Sequence, residues 1–127
     1  MPYLIFFSQM LLAAVLGGAV GWQRHQAGRA AGVRTFALVS FGSAFFTQLS
    51  LYGFATEPSR VAAQILTGIG FIGAGTIIHK SGGVEGLTTA AGLWAVAAIG
   101  MGVGLGWYWQ SVISAGLLFL ILLLKEK

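Results

Sequence analysis

The residues that could carry chemistry are few. Glu57, Glu85 and Glu126 are the carboxylates and His25 and His79 the histidines, and there is no cysteine. Without cysteine the chain can form no disulfide, thiolate metal site, iron–sulfur cluster or thiol nucleophile. Gly68-Ile69-Gly70-Phe71-Ile72-Gly73 spells the glycine pattern of a dinucleotide-binding turn. That turn requires a preceding strand, a following helix and an acidic residue about 20 positions on, whereas this stretch lies inside an apolar run. Hydroxyls are present, but a hydrolase also needs a base and an orienting carboxylate beside the nucleophile. His25 and His79 are isolated and flank charged stretches, where hydrated histidines are expected rather than metal ligands. No catalytic residue, cofactor or metal ligand is therefore expected, and the chain reads as non-enzymatic.

The elements that would position such residues follow from composition. Hydrophobic residues make up 57% of the chain, charged residues 8%, and mean hydropathy is +0.86, against roughly 25% charged residues in a soluble domain. A water-facing surface cannot be built from this, so the fold class is an all-α, polytopic transmembrane helical bundle. A charge at the bilayer centre costs about 2.5–3.5 kcal/mol even on lenient scales, so charges should mark the loops. Uncharged runs extend over 1–23, 35–56, 61–79 and 86–124. The first three each suit one span of about 20 residues. The last, as one helix, would measure about 58 Å at 1.5 Å per residue, roughly twice the 30 Å hydrocarbon core. It must be two helices, broken where Gly100, Gly102, Gly104 and Gly106 weaken the helix and Trp107, Tyr108 and Trp109 supply an interfacial anchor. Five spans result, at about 4–22, 35–53, 61–78, 87–104 and 107–124, within a single transmembrane domain 1–127.

Alternating sidedness puts Arg24, Arg29, Arg34, Lys80, Lys125 and Lys127 on one side and Arg60 alone on the other. Cytoplasmic loops carry the excess of Lys and Arg, so the N-terminus is expected outside and the C-terminus in the cytoplasm of a bacterial inner membrane, as a multi-pass protein. The net charge of +4 then reflects topology, and no nucleic-acid partner is expected. Met1-Pro2-Tyr3 supplies no basic n-region, so the first segment is expected to be a retained helix and not a signal peptide. Glu57 falls on the outer side, Glu85 and Glu126 on the inner. No carboxylate lies within a span, and one chain has no evident intramembrane cage for Mg²⁺.

Glycines and alanines at four-residue spacing stack on one helix face and let neighbours approach: Gly17 and Gly21, Gly70 and Ala74, and Ala98, Gly102 and Gly106. Gly68, Gly70, Gly73 and Gly75 are the expected helix-packing positions of the third span, with a homo-oligomer as a further use of such a face. Polar residues within spans include Gln48, Gln64, Thr67, Thr76, Thr88 and Thr89. Gln64 lies one turn after Arg60, so the two can face one neighbour and form a polar seam, either as helix-joining hydrogen bonds or as a solute path. Arg34, Arg60, Gln64, Thr88 and Thr89 are the candidate functional positions. Arg34 and Thr88 should approach the cytoplasmic boundary and Arg60 the opposite one, so they cannot form one compact site. Arg24 and Arg29 are expected to contact anionic lipid or a partner.

At these residues the chain resembles the MgtC/SapB family. The resemblance rests on Gly21-Trp22-Gln23-Arg24-His25, Ala31-Gly32-Val33-Arg34-Thr35, Arg60-Val61-Ala62-Ala63-Gln64-Ile65, Gly68 to Gly75, and Gly86-Leu87-Thr88-Thr89-Ala90-Ala91-Gly92-Leu93-Trp94. These ordered blocks cover roughly residues 17 to 106. The resemblance implies an inner-membrane protein of about five helices, linked to growth under low Mg²⁺, acid stress or intracellular survival. It further implies a regulator of membrane machinery, ATP synthase included, with an oligomeric transport or channel component as the alternative. Gln23 stands where the family is often acidic, and Thr88 where virulence-associated members can carry Asn. Longer members add a C-terminal soluble domain, and functions residing there are not expected of this chain.

The charge count yields a direct expectation. A reporter fused after Lys127 should report cytoplasm and one near Glu57 the periplasm; a C-terminus found outside would overturn the five-span topology.

Overall fold

The computed structural model describes residues 2–29 and 31–124; Lys125, Glu126 and Lys127, which entered the charge count, lie outside them. Five helices are present among the described residues: α1 (Tyr3–Gln26), α2 (Val33–Gln48), α3 (Ser59–Ala74), α4 (Leu87–Gly104) and α5 (Tyr108–Leu123). A π-helical turn, Leu49–Gly53, prolongs α2, and a short antiparallel hairpin, β1 (Ile78–Lys80) and β2 (Gly83–Glu85), joins α3 to α4. By length and composition α1, α2 with its π turn, and α4 can each cross a membrane, while α5 is a shorter apolar helix. The surface is inverted relative to a water-soluble protein. Leu4, Phe7, Leu11 and Val15 of α1 and Ile113, Leu117, Leu120 and Ile121 of α5 are all exposed, as expected where hydrocarbon is the solvent. This is a helical membrane bundle.

Each helix reverses the direction of the one before. Gly17 and Gly21 of α1 lie against Phe36 and Gly32 at the start of α2, and Gly73 near the end of α3 lies against Ala90 near the start of α4. Gln48 at the end of α2 meets Gly104 at the end of α4, so those two run parallel. Gln9 meets Tyr108 and Gln23 meets Leu122, which makes α1 and α5 parallel as well.

Helix α2 packs mainly against α1 and α4, while α4 touches all four other helices. Lipid tails are as apolar as leucine, so helices in a bilayer associate through close packing and hydrogen bonds. The chain achieves this with glycine. A Cβ added at Gly17 would lie 2.5 Å from the Phe36 carbonyl oxygen, and one at Gly21 would lie 2.6 Å from that of Gly32. From α4, Gly100 presses on the Ser40 carbonyl and a Cβ at Gly104 would lie 2.7 Å from the Ala44 carbonyl. Phe36, fully buried, fills the space between, its ring 3.3 Å from the position a Gly92 Cβ would take.

Three expectations are corrected. Helix α3 ends at Ala74, short of the expected 78, and Ile78 belongs to β1. The cause is local: the Thr76 hydroxyl donates to the Gly73 carbonyl at 2.8 Å and so closes the helix end. Gly86 then enters α4 with φ +86°, where a Cβ would collide with the Thr76 carbonyl. Second, the break between α4 and α5 falls where expected, with Gly106 at φ +87°, but Gly100 and Gly102 do not interrupt α4, which runs to Gly104, and Gly100 and Gly104 pack on α2. Third, of the four α3 glycines expected to pack, only Gly73 meets another helix. Gly75 meets carbonyls of its own helix end, and Gly68 and Gly70 face open space.

Substitution should separate these roles. Gly17→Val, which forces a side chain into the α2 backbone, should cost roughly 1–3 kcal/mol of overpacking. Gly116→Ala, which meets nothing within 4 Å, should gain up to about 1 kcal/mol from helix propensity. Reversible unfolding in mixed micelles measures both.

Candidate functional site

The candidate positions divide between the two ends of the bundle. One end gathers the end of α1, the start of α2, the hairpin and the start of α4, and it carries Arg24, Arg29, Arg34 and Lys80; the other carries Arg60. The separation of Arg34 and Thr88 from Arg60 anticipated from topology is what the alternating helices produce.

At the first end the sequence placed Arg24 on a lipid- or partner-facing surface, and the structure buries it at 4% exposure. Its position in the last turn of α1 points it inward, toward the start of α4. The guanidinium donates to Thr89 Oγ1 at 3.3 Å and to Gln23 Oε1 at 3.4 Å. Thr89 is itself 1% exposed. A buried charge is tolerable only where polar groups replace its water, and here they come from α1 and α4. Gln23 extends the cluster to α5, its Nε2 donating to the Leu122 carbonyl at 2.9 Å. Thr88 is half-buried and, with Arg24, Gln23, Ala27 and the exposed Arg29, lines a hollow of about 540 Å³. Arg34 is exposed and stands outside that hollow.

At the second end Arg60 pairs with Glu57 at 3.2 Å, both largely exposed (79% and 64%). Gln64 is exposed too, and all three line one hollow of about 610 Å³ beside Phe54 and Thr56. Arg60 and Gln64 share a face, as their spacing required, and Gln64 also lines the gap between α3 and α2. Lys80 pairs with Glu85 across the hairpin at 3.0 Å, again exposed. Among the described residues no group of three His, Cys, Asp or Glu side chains could hold a metal ion.

Besides Thr89 and Gln48, which the sequence placed as polar residues within spans, the interior polarity comes from residues not singled out from the sequence. Gln9 Nε2 donates to Tyr108 Oη at 2.9 Å and Gln48 Nε2 to the Gly104 carbonyl at 2.6 Å. Ser40, Ser43, Thr47 and Ser50 are buried along α2, the Thr47 hydroxyl donating to the Ser43 carbonyl at 2.8 Å. A signal was available: Ser40, Ser43 and Thr47 recur at helical spacing, and Gln9 and Gln23 stand close to four whole turns apart on one face of α1.

An inverted apolar surface and an interior joined by hydrogen bonds between helices define a helical membrane protein. A family model, the MgtC family, matches residues 10–127. The chain belongs to the MgtC family. It is 44% identical over 126 residues to YhiD of Escherichia coli (strain K12), whose name provisionally assigns it magnesium transport, covering 92% of this chain and 59% of YhiD. It is 41% identical over 123 residues to an uncharacterized protein of Haemophilus influenzae, covering 88% and 52%. With protein MgtC of Salmonella typhimurium (strain LT2) it shares 42% identity over 127 residues, covering 98% and 53%. The chain thus spans a little over half the length of these curated relatives. No solved structure matches it.

Replacing Gln23 tests the buried cluster. Gln23→Leu strips a donor from the Leu122 carbonyl and an acceptor from Arg24, and should cost about 1–3 kcal/mol. Arg34→Ala, on the exposed side of the same end, should stay within about 0.5 kcal/mol of the parent. Equal losses in micelle unfolding would remove the distinction.

Proposed function

We propose that this chain is a non-enzymatic regulator in the bacterial inner membrane, crossing it five times with its N-terminus outside and its C-terminus in the cytoplasm. It docks against a membrane complex, with ATP synthase the candidate that the family resemblance suggests, and influences Mg²⁺ homeostasis and the response to acid stress. One observation carries this reading. Among the described residues the buried polar side chains are amides, hydroxyls and one arginine, of which Gln9, Gln23, Arg24 and Gln48 donate hydrogen bonds between helices, while the carboxylates Glu57 and Glu85 are exposed and paired with Arg60 and Lys80. Stripping water from Mg²⁺ demands a near-octahedral set of oxygen ligands. Among the described residues no carboxylate lies in the interior to contribute to such a set, and a buried guanidinium repels a cation.

The magnesium link is supported by the family and by the relatives' names, and the docking role by the exposed candidates. Arg29 and Arg34 are exposed at the end where most of the charge lies, and Arg29 lines one hollow with the half-buried Thr88. A second reading, transport by an oligomer, draws on the name of YhiD and on the open face of α3 at Gly70.

Reconstitution separates the two. Purified chain in proteoliposomes should give no Mg²⁺ or proton flux above empty vesicles, while crosslinking in native membranes should recover a membrane complex, with Arg34→Ala and Thr88→Ala reducing its yield at unchanged abundance. Robust flux from the chain alone would replace regulation by transport.

A further inference from the structure

Helices α2 and α3 do not close on each other. Between them lies a trough of about 390 Å³, lined by Leu38, Phe46, Ile65, Ile69 and Ile72, with Gly42 and Gly68 leaving its floor low. It follows α3 from Val61 to Ile72, roughly 16 Å at 1.5 Å per residue. Val61 and Gln64 belong both to this trough and to the hollow that holds Arg60 and Glu57. An apolar channel therefore runs into a polar mouth, and the mouth presents a cation and an anion side by side.

We propose that this continuous feature is a binding site for a phospholipid with an ethanolamine head group. One acyl chain occupies the trough, the phosphodiester lies on the Arg60 guanidinium, and the head-group ammonium lies on the Glu57 carboxylate. The match is one of charge: an adjacent plus and minus on the protein face an adjacent minus and plus on the lipid. The Arg60–Glu57 pair uses one guanidinium nitrogen and one carboxylate oxygen, which leaves donors and an acceptor for the ligand. Exposed pairs of this kind contribute little of their own, so redistributing their hydrogen bonds onto a zwitterion is inexpensive. The Gln64 amide, at the junction of trough and mouth, is placed for the ester oxygens. A purely anionic head group would meet Glu57 unfavourably, which gives the site its selectivity. The site stands apart from the Arg24 cluster and holds whether the chain regulates or transports.

The test exploits glycines whose added side chain meets nothing in the protein. Full-length protein is equilibrated with nanodiscs of equal phosphatidylethanolamine and phosphatidylglycerol, and lipids retained after mild detergent extraction are counted by native mass spectrometry. The parent should retain one phosphatidylethanolamine in preference to phosphatidylglycerol. Gly68→Leu fills the trough and should lower retention at least fivefold with helicity unchanged. Gly70→Leu, equally open but outside the trough, should retain the lipid. Arg60→Ala and Glu57→Gln, on the exposed rim, should each abolish the head-group preference and do not depend on Gly68→Leu folding; Gly42→Leu is the second trough variant. Equal retention of both lipids by the parent, or undiminished retention in a folded trough variant, would overturn the site. So would disulfide formation between chains at Gly68→Cys, which in this cysteine-free protein would identify a second copy as the occupant.

Discussion

Backbone contact at α2 is the constraint on which the bundle depends. Gly17 and Gly21 from one side and Gly100 and Gly104 from the other bring two helices against the carbonyls of Gly32, Phe36, Ser40 and Ala44. A bilayer offers no hydrophobic force between helices, so the gain must come from many short van der Waals contacts and from polar groups that find partners. Glycine permits the distances at which those contacts exist. It also makes them intolerant, because the neighbour is backbone and cannot rotate away.

Close approach sets spacing, and hydrogen bonds set direction. Gln9 and Gln23 clip α1 to the two ends of α5, and Gln48 ties the end of α2 to the end of α4. Each bond joins helices that run the same way, and each would be lost if one of them were reversed or shifted by a turn. Arg24 acts alike between the antiparallel α1 and α4. Its charge sits deep enough to demand partners, which come from α1 and α4 only when those helices are correctly apposed. The polar interior therefore acts as a register for the fold before it acts as anything else.

Helix α3 is the exception. It buries only Ile65, Ile69 and Gly73, and its remaining glycines are open. The same looseness leaves the trough beside α2 and exposes Arg60, Gln64 and Glu57 at its mouth. The bundle thus has a closely packed centre of α1, α2 and α4, and a more loosely packed helix α3 with a trough beside it. The proposed lipid site lies there, and the proposed docking surface lies at the basic end carrying Arg29 and Arg34.

Much of this is determined by the sequence alone. The charge spacing dictates helical runs divided by short polar segments, because hydrocarbon excludes both charges and unpaired backbone, and the length of the final uncharged run forces its division in two. The resemblance to a family was readable in ordered blocks for the same reason that the helices were: both are local patterns. What remained invisible was orientation about each helix axis. Gly70 and Ala74 match the packing spacing as well as Gly17 and Gly21 do, yet a Cβ at Gly70 meets nothing whereas Gly17 and Gly21 lie against α2. Arg24 and Arg34 look alike as loop cations, yet one turns inward to Thr89 and the other outward. Spacing along a chain says which residues share a face, but which face is covered depends on where the other helices lie, and only the tertiary structure decided that.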